Sequence, residues 1–287
     1  MRGQPAAFEV HTPTTLETAL AFLSEHPDWK PLAGGTDLMV PFAAGRLAPT
    51  RFLNLWGLPG LGGIEATPEA VCFGALATYR EIALHPVVRA EFPNLVRSAK
   101  ATGALAIQSR GTLGGNLANG SPAADTPPSL LAYGAEVELR SRNGARWVAY
   151  ADFHTGYRTT LMAPGELLTR VCVPRPLVDG YHYFRKVGTR RAQAIAKVSL
   201  AAWARTERGQ IAEIRLALGS VAPFPLRARQ AEAVLTGADL ADLHLAAAQE
   251  ALQRDIAPID DLRSSARFRR KVAENLLEEM LRGLRSR

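Results

Sequence analysis

The sequence predicts an α+β protein in two parts, and three observations carry that reading. Strand-like and helix-like segments alternate through the first 176 residues. A proline pair, Pro174-Arg175-Pro176, then breaks the pattern. Beyond it come three strand-like runs followed by mainly helical text. The expected domains are therefore 1–176 and 177–287, the first divided near the turn Gly57-Leu58-Pro59-Gly60 into subdomains of about 1–57 and 58–176. The smaller second domain is expected to hold a three-stranded antiparallel sheet and a helical bundle.

The elements can be justified in order. Phe8-Glu9-Val10 reads as a strand, and Thr14 with Glu17 as a capping box that opens an apolar-periodic helix through Leu23. Lys30-Pro31-Leu32-Ala33 is a second strand and Arg51 to Leu55 a third. Gly63 to Ala75 reads as a hairpin-like pair, after which Thr78 and Glu81 cap helical text running in pieces to about Ala101. Ser129 to Tyr133 is a short helix. Ala135 to Arg140 and Arg146 to Ala149 are strands joined at Asn143-Gly144, a strong hairpin signal. Gly165 to Pro174 is one more strand. In the second domain Tyr181 to Val187, Ala196 to Arg205 and Gln210 to Gly219 are strands, and helices dominate from Leu226, the last capped by Ser264 or Ser265.

Composition narrows the function classes. At 287 residues and 47% hydrophobic, the chain can bury a sizeable core. No apolar run approaches the roughly 20 residues a membrane span needs, and Met1 to Pro5 lead into polar text, so a cytoplasmic protein without a membrane span is expected. The net charge is +7, and only five of the 34 basic residues are lysine. That balance suits nucleic acid, an acidic partner or an anionic cofactor; without a recognition helix, finger or RNA-binding strand, nucleic acid is set aside. Cys72 and Cys172 each sit in an apolar strand-like run, where a free thiol is expected to behave as a small core hydrophobe. Two cysteines cannot hold an iron–sulfur cluster or the usual zinc site. The six histidines show no ligand spacing, so neither a metal site nor a catalytic cluster is expected.

Two glycine-rich segments carry the chemistry: Ala33-Gly34-Gly35-Thr36-Asp37-Leu38 and Gly111-Thr112-Leu113-Gly114-Gly115-Asn116. Paired glycines permit positive φ and place no side chain between the backbone N–H groups and a ligand, so two such loops could grip both phosphates of a dinucleotide. Thr36, Thr112 and Asn116 would add donors, whereas Asp37 and Asp125, being anions, should accept from ribose or flavin groups instead. Either segment alone could equally be a plain turn; the pair, each after a core element, favours a ligand. Neither is the G-x-G-x-x-G of a Rossmann unit or a P-loop, which argues against a nicotinamide fingerprint and an NTPase. Gly120-Ser121-Pro122-Ala123-Ala124-Asp125 keeps the backbone small and turning, as contact along an extended cofactor requires.

At these residues the sequence resembles the FAD-binding subunit or domain of the molybdenum hydroxylases, the group of xanthine dehydrogenase and aerobic carbon monoxide dehydrogenase, nearly end to end. That family has an Ala-Gly-Gly-Thr/His-Asp/Ser-Leu loop, a Thr/Ser-Leu/Ile-Gly-Gly-Asn loop and a downstream Ser-Pro-x-x-Asp, matched here from Ala33, Thr112 and Ser121. The resemblance implies a two-subdomain FAD-binding domain of the vanillyl-alcohol-oxidase/PCMH type. It also implies non-covalent FAD held by Leu32, Ala33, Gly34, Gly35, Thr36, Asp37, Leu38, Gly111, Thr112, Gly114, Gly115, Asn116 and Asp125. Phe184 to Val198 resembles the segment that reaches back to the flavin, with Lys186 at a flavin-contacting position; a cation there would stabilise charge on the reduced ring. Thr102 stands near the flavin-stacking position without the aromatic sometimes found there, and Leu167 is expected as an apolar wall.

The implied function is electron transfer within a complex. The molybdenum cofactor would lie in a large partner subunit and [2Fe-2S] clusters in a small one; the assembly would be a hetero-oligomer such as a dimer of heterotrimers, and the electron acceptor NAD, a quinone or oxygen. The branch with an added four-iron cluster needs four cysteines and is excluded. The alternative is a self-sufficient FAD-dependent oxidase or reductase on the same fold, resembling the enolpyruvyl reductase of cell-wall synthesis. It would need an acid–base cluster beyond Pro176, and none is seen.

Overall fold

The computed structural model describes residues 7–48, 50–175, 179–190 and 193–286. Met1 to Pro5, Pro176 of the expected boundary, and Arg191 and Ala192 of the flavin-reaching segment lie outside them.

The chain opens with β1 (Glu9–His11), α1 (Leu16–Glu25), β2 (Lys30–Leu32), α2 (Met39–Ala43) and β3 (Arg51–Asn54). The strands pair in parallel, in the order β1-β3-β2. Helix α1 starts one residue later than expected. Thr15 is its cap, accepting from the Thr18 N–H, and Thr18 rather than Glu17 returns a side-chain bond to the Thr15 N–H. Leu16, Leu20 and Leu23 form its buried face, packed with Leu53 and Leu55.

The second stretch runs β4 (Ile64–Ala66), β5 (Ala70–Gly74), α3 (Tyr79–Leu84), α4 (Pro86–Glu91), α5 (Pro93–Ala101), α6 (Leu105–Gln108), α7 (Leu113–Asn119), α8 (Pro127–Tyr133), β6 (Glu136–Ser141), β7 (Gly144–Ala149), α9 (Tyr150–Phe153), β8 (His154–Gly156), β9 (Thr159–Thr160) and β10 (Leu167–Pro174). Five strands form an antiparallel sheet in the order β4-β5-β10-β6-β7. The helical text after the Thr78–Glu81 capping box is broken because Pro86 and Pro93 cannot donate within a helix and so open new ones.

Register places Cys72 of β5 directly opposite Cys172 of β10. The two are joined as a disulfide across the strands. This corrects the expectation of free core thiols. A hundred residues separate them in sequence, and only the strand pairing brings them together.

The last part runs β11 (Tyr181–Val187), β12 (Val198–Glu207), β13 (Gln210–Gly219), β14 (Leu226–Arg227), α10 (Arg229–Leu235), α11 (Leu245–Asp255) and α12 (Ala266–Arg285, capped by Ser265). Its sheet is antiparallel, β11-β12-β13-β14, with one strand more than the three expected. Leu226 pairs with Leu218, and helix begins only at Arg229.

This sheet is covered on both faces. Ala201, Trp203 and Ala217 join the core of the second stretch, while Leu200, Ala202 and Leu216 face the C-terminal helices. The period-2 alternation of a strand thus feeds two cores, which explains the nearly unbroken apolar run of β12. Helix α8 is the other side of the junction, with all seven residues buried.

Candidate functional site

The first glycine segment links β2 to α2. Gly35 has φ +75°, a conformation L side chains rarely adopt. The Gly35 carbonyl accepts from Met39 N–H and that of Asp37 from Val40 N–H, but among the described residues the N–H groups of Gly34, Gly35, Thr36 and Asp37 donate to no protein acceptor. Four adjacent N–H groups are thus left for solvent or a ligand.

The second segment behaves differently. Only Gly111 and Thr112 are loop; Thr112 caps α7, and Gly114, Gly115 and Asn116 form its first turn. Their N–H groups are already used. Leu113 donates to Ala77 O at 2.9 Å, Gly114 to Ala75 O at 2.8 Å and Asn116 to Thr112 O at 3.1 Å, while Thr112 Oγ1 accepts from Gly115 at 3.2 Å. The expectation that bare N–H groups of both segments meet a diphosphate is corrected here: the carbonyls of Ala75 and Ala77 and the N-cap Thr112 take up those of the second. Its glycines serve close packing instead. A Cβ on Gly114 would lie 2.6 Å from the Ala75 Cβ, and one on Gly111 would lie 2.9 Å from the Tyr79 ring.

Packing brings the two segments together. A Cβ on Gly34 would fall on the Arg110 carbonyl, with Gly111 N at 3.3 Å, and one on Gly115 would come to 3.5 Å from the Ala33 Cβ. The stretch around β2 and the stretch before α7 therefore meet at these glycines. Arg110, which sequence reading missed, supplies the carbonyl beneath Gly34 and stacks its guanidinium 3.7 Å from the Trp56 ring centroid. No sequence signal marked it.

Behind the segments lies a polar floor. Thr126 Oγ1 donates to Asn116 Oδ1 at 3.0 Å. Lys186 Nζ donates to Asp125 Oδ2 at 2.7 Å and to Ala101 O at 3.0 Å, and its side chain is 12% exposed. Burial pushes the Asp125 carboxyl up to about 6 even though Lys186 and the Thr102 hydroxyl favour its charge. Asp125 Oδ1 is buried without a partner. Lys186 and Asp125, singled out separately in sequence, are thus each other's counter-ion, and Lys186 is not a lone cation awaiting reduced flavin. Thr102 ends α5 and donates to Ser98 O at 2.9 Å.

Leu167 is only 2% exposed, inside the core shared with Leu16 and Leu76. The side chain expected as an apolar wall is packed in that core. Leu32, Ala33, Thr36 and Leu38 are half-buried around the first segment and Asp37 is exposed. No group of three or more potential metal ligands occurs among the described residues. His154 bonds to Tyr150 in the interior, and the half-buried His182 to Tyr133.

The donor set fits a dinucleotide. Four free N–H groups suit phosphate oxygens, and the orphaned Asp125 oxygen suits a hydroxyl or N–H donor of the rest of the molecule. Comparison with known proteins agrees. Residues 6–176 match the FAD binding domain in molybdopterin dehydrogenase, and residues 182–284 the CO dehydrogenase flavoprotein C-terminal domain. These matches define a flavin-binding oxidoreductase subunit. More particularly, the chain belongs to the FAD-binding medium subunits of the molybdenum hydroxylases.

Among its relatives are the carbon monoxide dehydrogenase medium chain of Afipia carboxidovorans, 33% identical over 99% of this chain and 98% of that one, and the glyceraldehyde dehydrogenase medium chain of Sulfolobus acidocaldarius, 32% identical over 95% and 96%. Carbon monoxide dehydrogenase from Hydrogenophaga pseudoflava superposes with a TM-score of 0.92 at 30% identity, covering 97% of this chain and 96% of that one. Among the described residues no helix is long and apolar enough to cross a membrane.

Proposed function

We propose that the chain holds non-covalent FAD between its two glycine segments and relays electrons inside a complex with a molybdenum-cofactor large subunit and a [2Fe-2S] small subunit. The observation that carries this reading is the contact of Gly34 with Arg110–Gly111 beside four unpartnered N–H groups. In the proposed division, residues 1–176 bind the cofactor, with subdomains of about 1–57 and 58–176, and residues 177–287 bring Lys186 to it.

FAD, when bound, supplies the exchange between one-electron and two-electron transfer, from the partner clusters to NAD, a quinone or oxygen. The protein's part is to bind and to orient. Gly34, Gly35, Thr36 and Asp37 offer main-chain donors to the diphosphate, and Asn116 and Asp125 hold polar groups further along it. Lys186, tied to Asp125 and Ala101 O, is held in place with its counter-ion at the floor of the site.

Purification of the native complex tests this reading. Molybdenum, iron and FAD are expected in one particle with this chain, and acid precipitation should leave a colourless pellet with all the yellow in solution. A particle without molybdenum or iron, or turnover of an organic substrate by the isolated chain, would overturn it.

A further inference from the structure

The first glycine segment offers dipoles but no positive charge. A diphosphate is an anion, and main-chain N–H groups meet it with partial charges only. Lys186, the cation of the polar floor, is already matched by Asp125 at 2.7 Å. Asp37, the one charged side chain in the segment, is itself an anion. A counter-charge for the ligand has to come from elsewhere.

Arg110 stands where that charge is missing. Leu32 and Asn54 are partners across β2 and β3, so Gly34 and Trp56, two residues beyond each, leave the parallel sheet at the same end. Arg110 touches both: a Cβ on Gly34 would fall on its carbonyl, and its guanidinium lies 3.7 Å from the Trp56 ring centroid. Its main chain is fixed as well, with the N–H on Ile107 O at 3.1 Å. Trp56 is half-buried and donates its N–H to Asn54 Oδ1 at 3.1 Å, so the ring is a settled platform. The Arg110 side chain is exposed, and among the described residues its guanidinium has neither a carboxylate nor a hydrogen-bond acceptor. Stacking engages only the face of that group. Its five N–H donors lie in the plane and point outward, unused. A guanidinium already held on a ring also loses less freedom when it takes up a ligand than a solvated one would.

We propose that Arg110, held on Trp56, supplies the cation for the FAD diphosphate, its guanidinium donating to phosphate oxygens beside the N–H groups of Gly34, Gly35, Thr36 and Asp37. Trp56 acts through Arg110 as a positioning residue. This rests on the reading of the first segment as the diphosphate site of FAD.

The test uses the full chain stripped of flavin, with FAD uptake followed by flavin fluorescence at several salt concentrations and folding by thermal unfolding. Arg110→Gln should weaken FAD binding ~10- to 100-fold, the worth of a charge-assisted contact. The parent's affinity should also fall with added salt more steeply than that of Arg110→Gln, a difference that a merely packing side chain would not produce. Trp56→Leu should weaken binding ~3- to 10-fold through loss of the stack, and should cost nothing further in an Arg110→Gln background. Should Arg110→Gln not fold, Arg110→Met, which keeps an apolar contact on Trp56, serves by the same readouts. A folded chain without the guanidinium that binds FAD within about threefold of the parent, or that loses affinity with an unchanged salt slope, overturns the proposal. So does a Trp56→Leu loss that persists undiminished when Arg110 is already replaced. A parent chain that takes up no FAD overturns the functional reading beneath it, a different result.

Discussion

Gly34 is the position where one methyl group does the most damage. Its φ lies outside the left-handed region, so alanine is tolerable to its own backbone, and only space is at issue. The added Cβ would fall on the Arg110 carbonyl oxygen, 2.6 Å from its carbon. Both belong to main chain, which cannot rotate aside as a side chain would. The oxygen would lie at 1.6 Å and ordinary contact begins at 3.4 Å, so the two segments must part by about 1.8 Å (3.4 − 1.6). Overpacking of this kind costs ~1–3 kcal/mol of stability. The larger effect falls on binding: misplacing two phosphate hydrogen bonds at ~1.5 kcal/mol each removes about 3 kcal/mol, or roughly 100-fold in affinity. Gly62 is the control, since a Cβ there meets nothing within 4 Å. Titration of apo Gly34→Ala, Gly62→Ala and parent chains with FAD by calorimetry decides the question. Gly62→Ala should bind as the parent. A folded Gly34→Ala chain within about threefold of the parent affinity would refute the idea that these loops must touch.

Other outcomes are expected. Asp125 rises from 3.8 to about 6 on folding, so the folded chain keeps a proton the unfolded chain loses, and this group's contribution to stability falls as pH rises through that window. His154 is pushed down by burial from 6.5 to about 4, so its contribution falls as pH drops through nearly the same range. Each is worth roughly 3 kcal/mol. Relative to the parent, Asp125→Asn should gain a positive slope of melting temperature with pH and His154→Gln a negative one; parallel curves would contradict both assignments. The oxidised protein should show neither Cys72 nor Cys172 to a thiol reagent without denaturant. Replacing both by serine should lower stability by ~2–4 kcal/mol, read from denaturant melts, and an unchanged midpoint would dismiss the bridge.

Much of the fold was legible because its signals are local. The Thr78–Glu81 capping box and the Asn143-Gly144 hairpin need only neighbours a few residues away, and both stand where the sequence put them. What failed was set by distant partners. The second glycine run reads as a loop until one sees Ala75 and Ala77 taking up its N–H groups and Thr112 capping a helix. The Cys72–Cys172 bridge and the Lys186–Asp125 pair depend on strand register and on the packing of β11 against the stretch before α8, which no spacing in the sequence encodes. For the candidate site, residue identities came through the glycine motifs and the family resemblance. Their mutual bonding and the part played by Arg110 did not.

Ser220 has a consequence of its own. This serine sits at φ +65°, with its N–H on Pro122 O at 2.8 Å and its hydroxyl on Ala196 O at 3.0 Å, while its carbonyl accepts from Arg269 at 2.7 Å. One strained residue thus knots the stretch leading to Asp125, the approach to β12 and the final helix. A shortened chain ending near residue 176 would lose Lys186 and, with this knot undone, the tether on Pro122 as well. The tail therefore braces the stretch that carries Asp125 and cannot be trimmed away as an appendage.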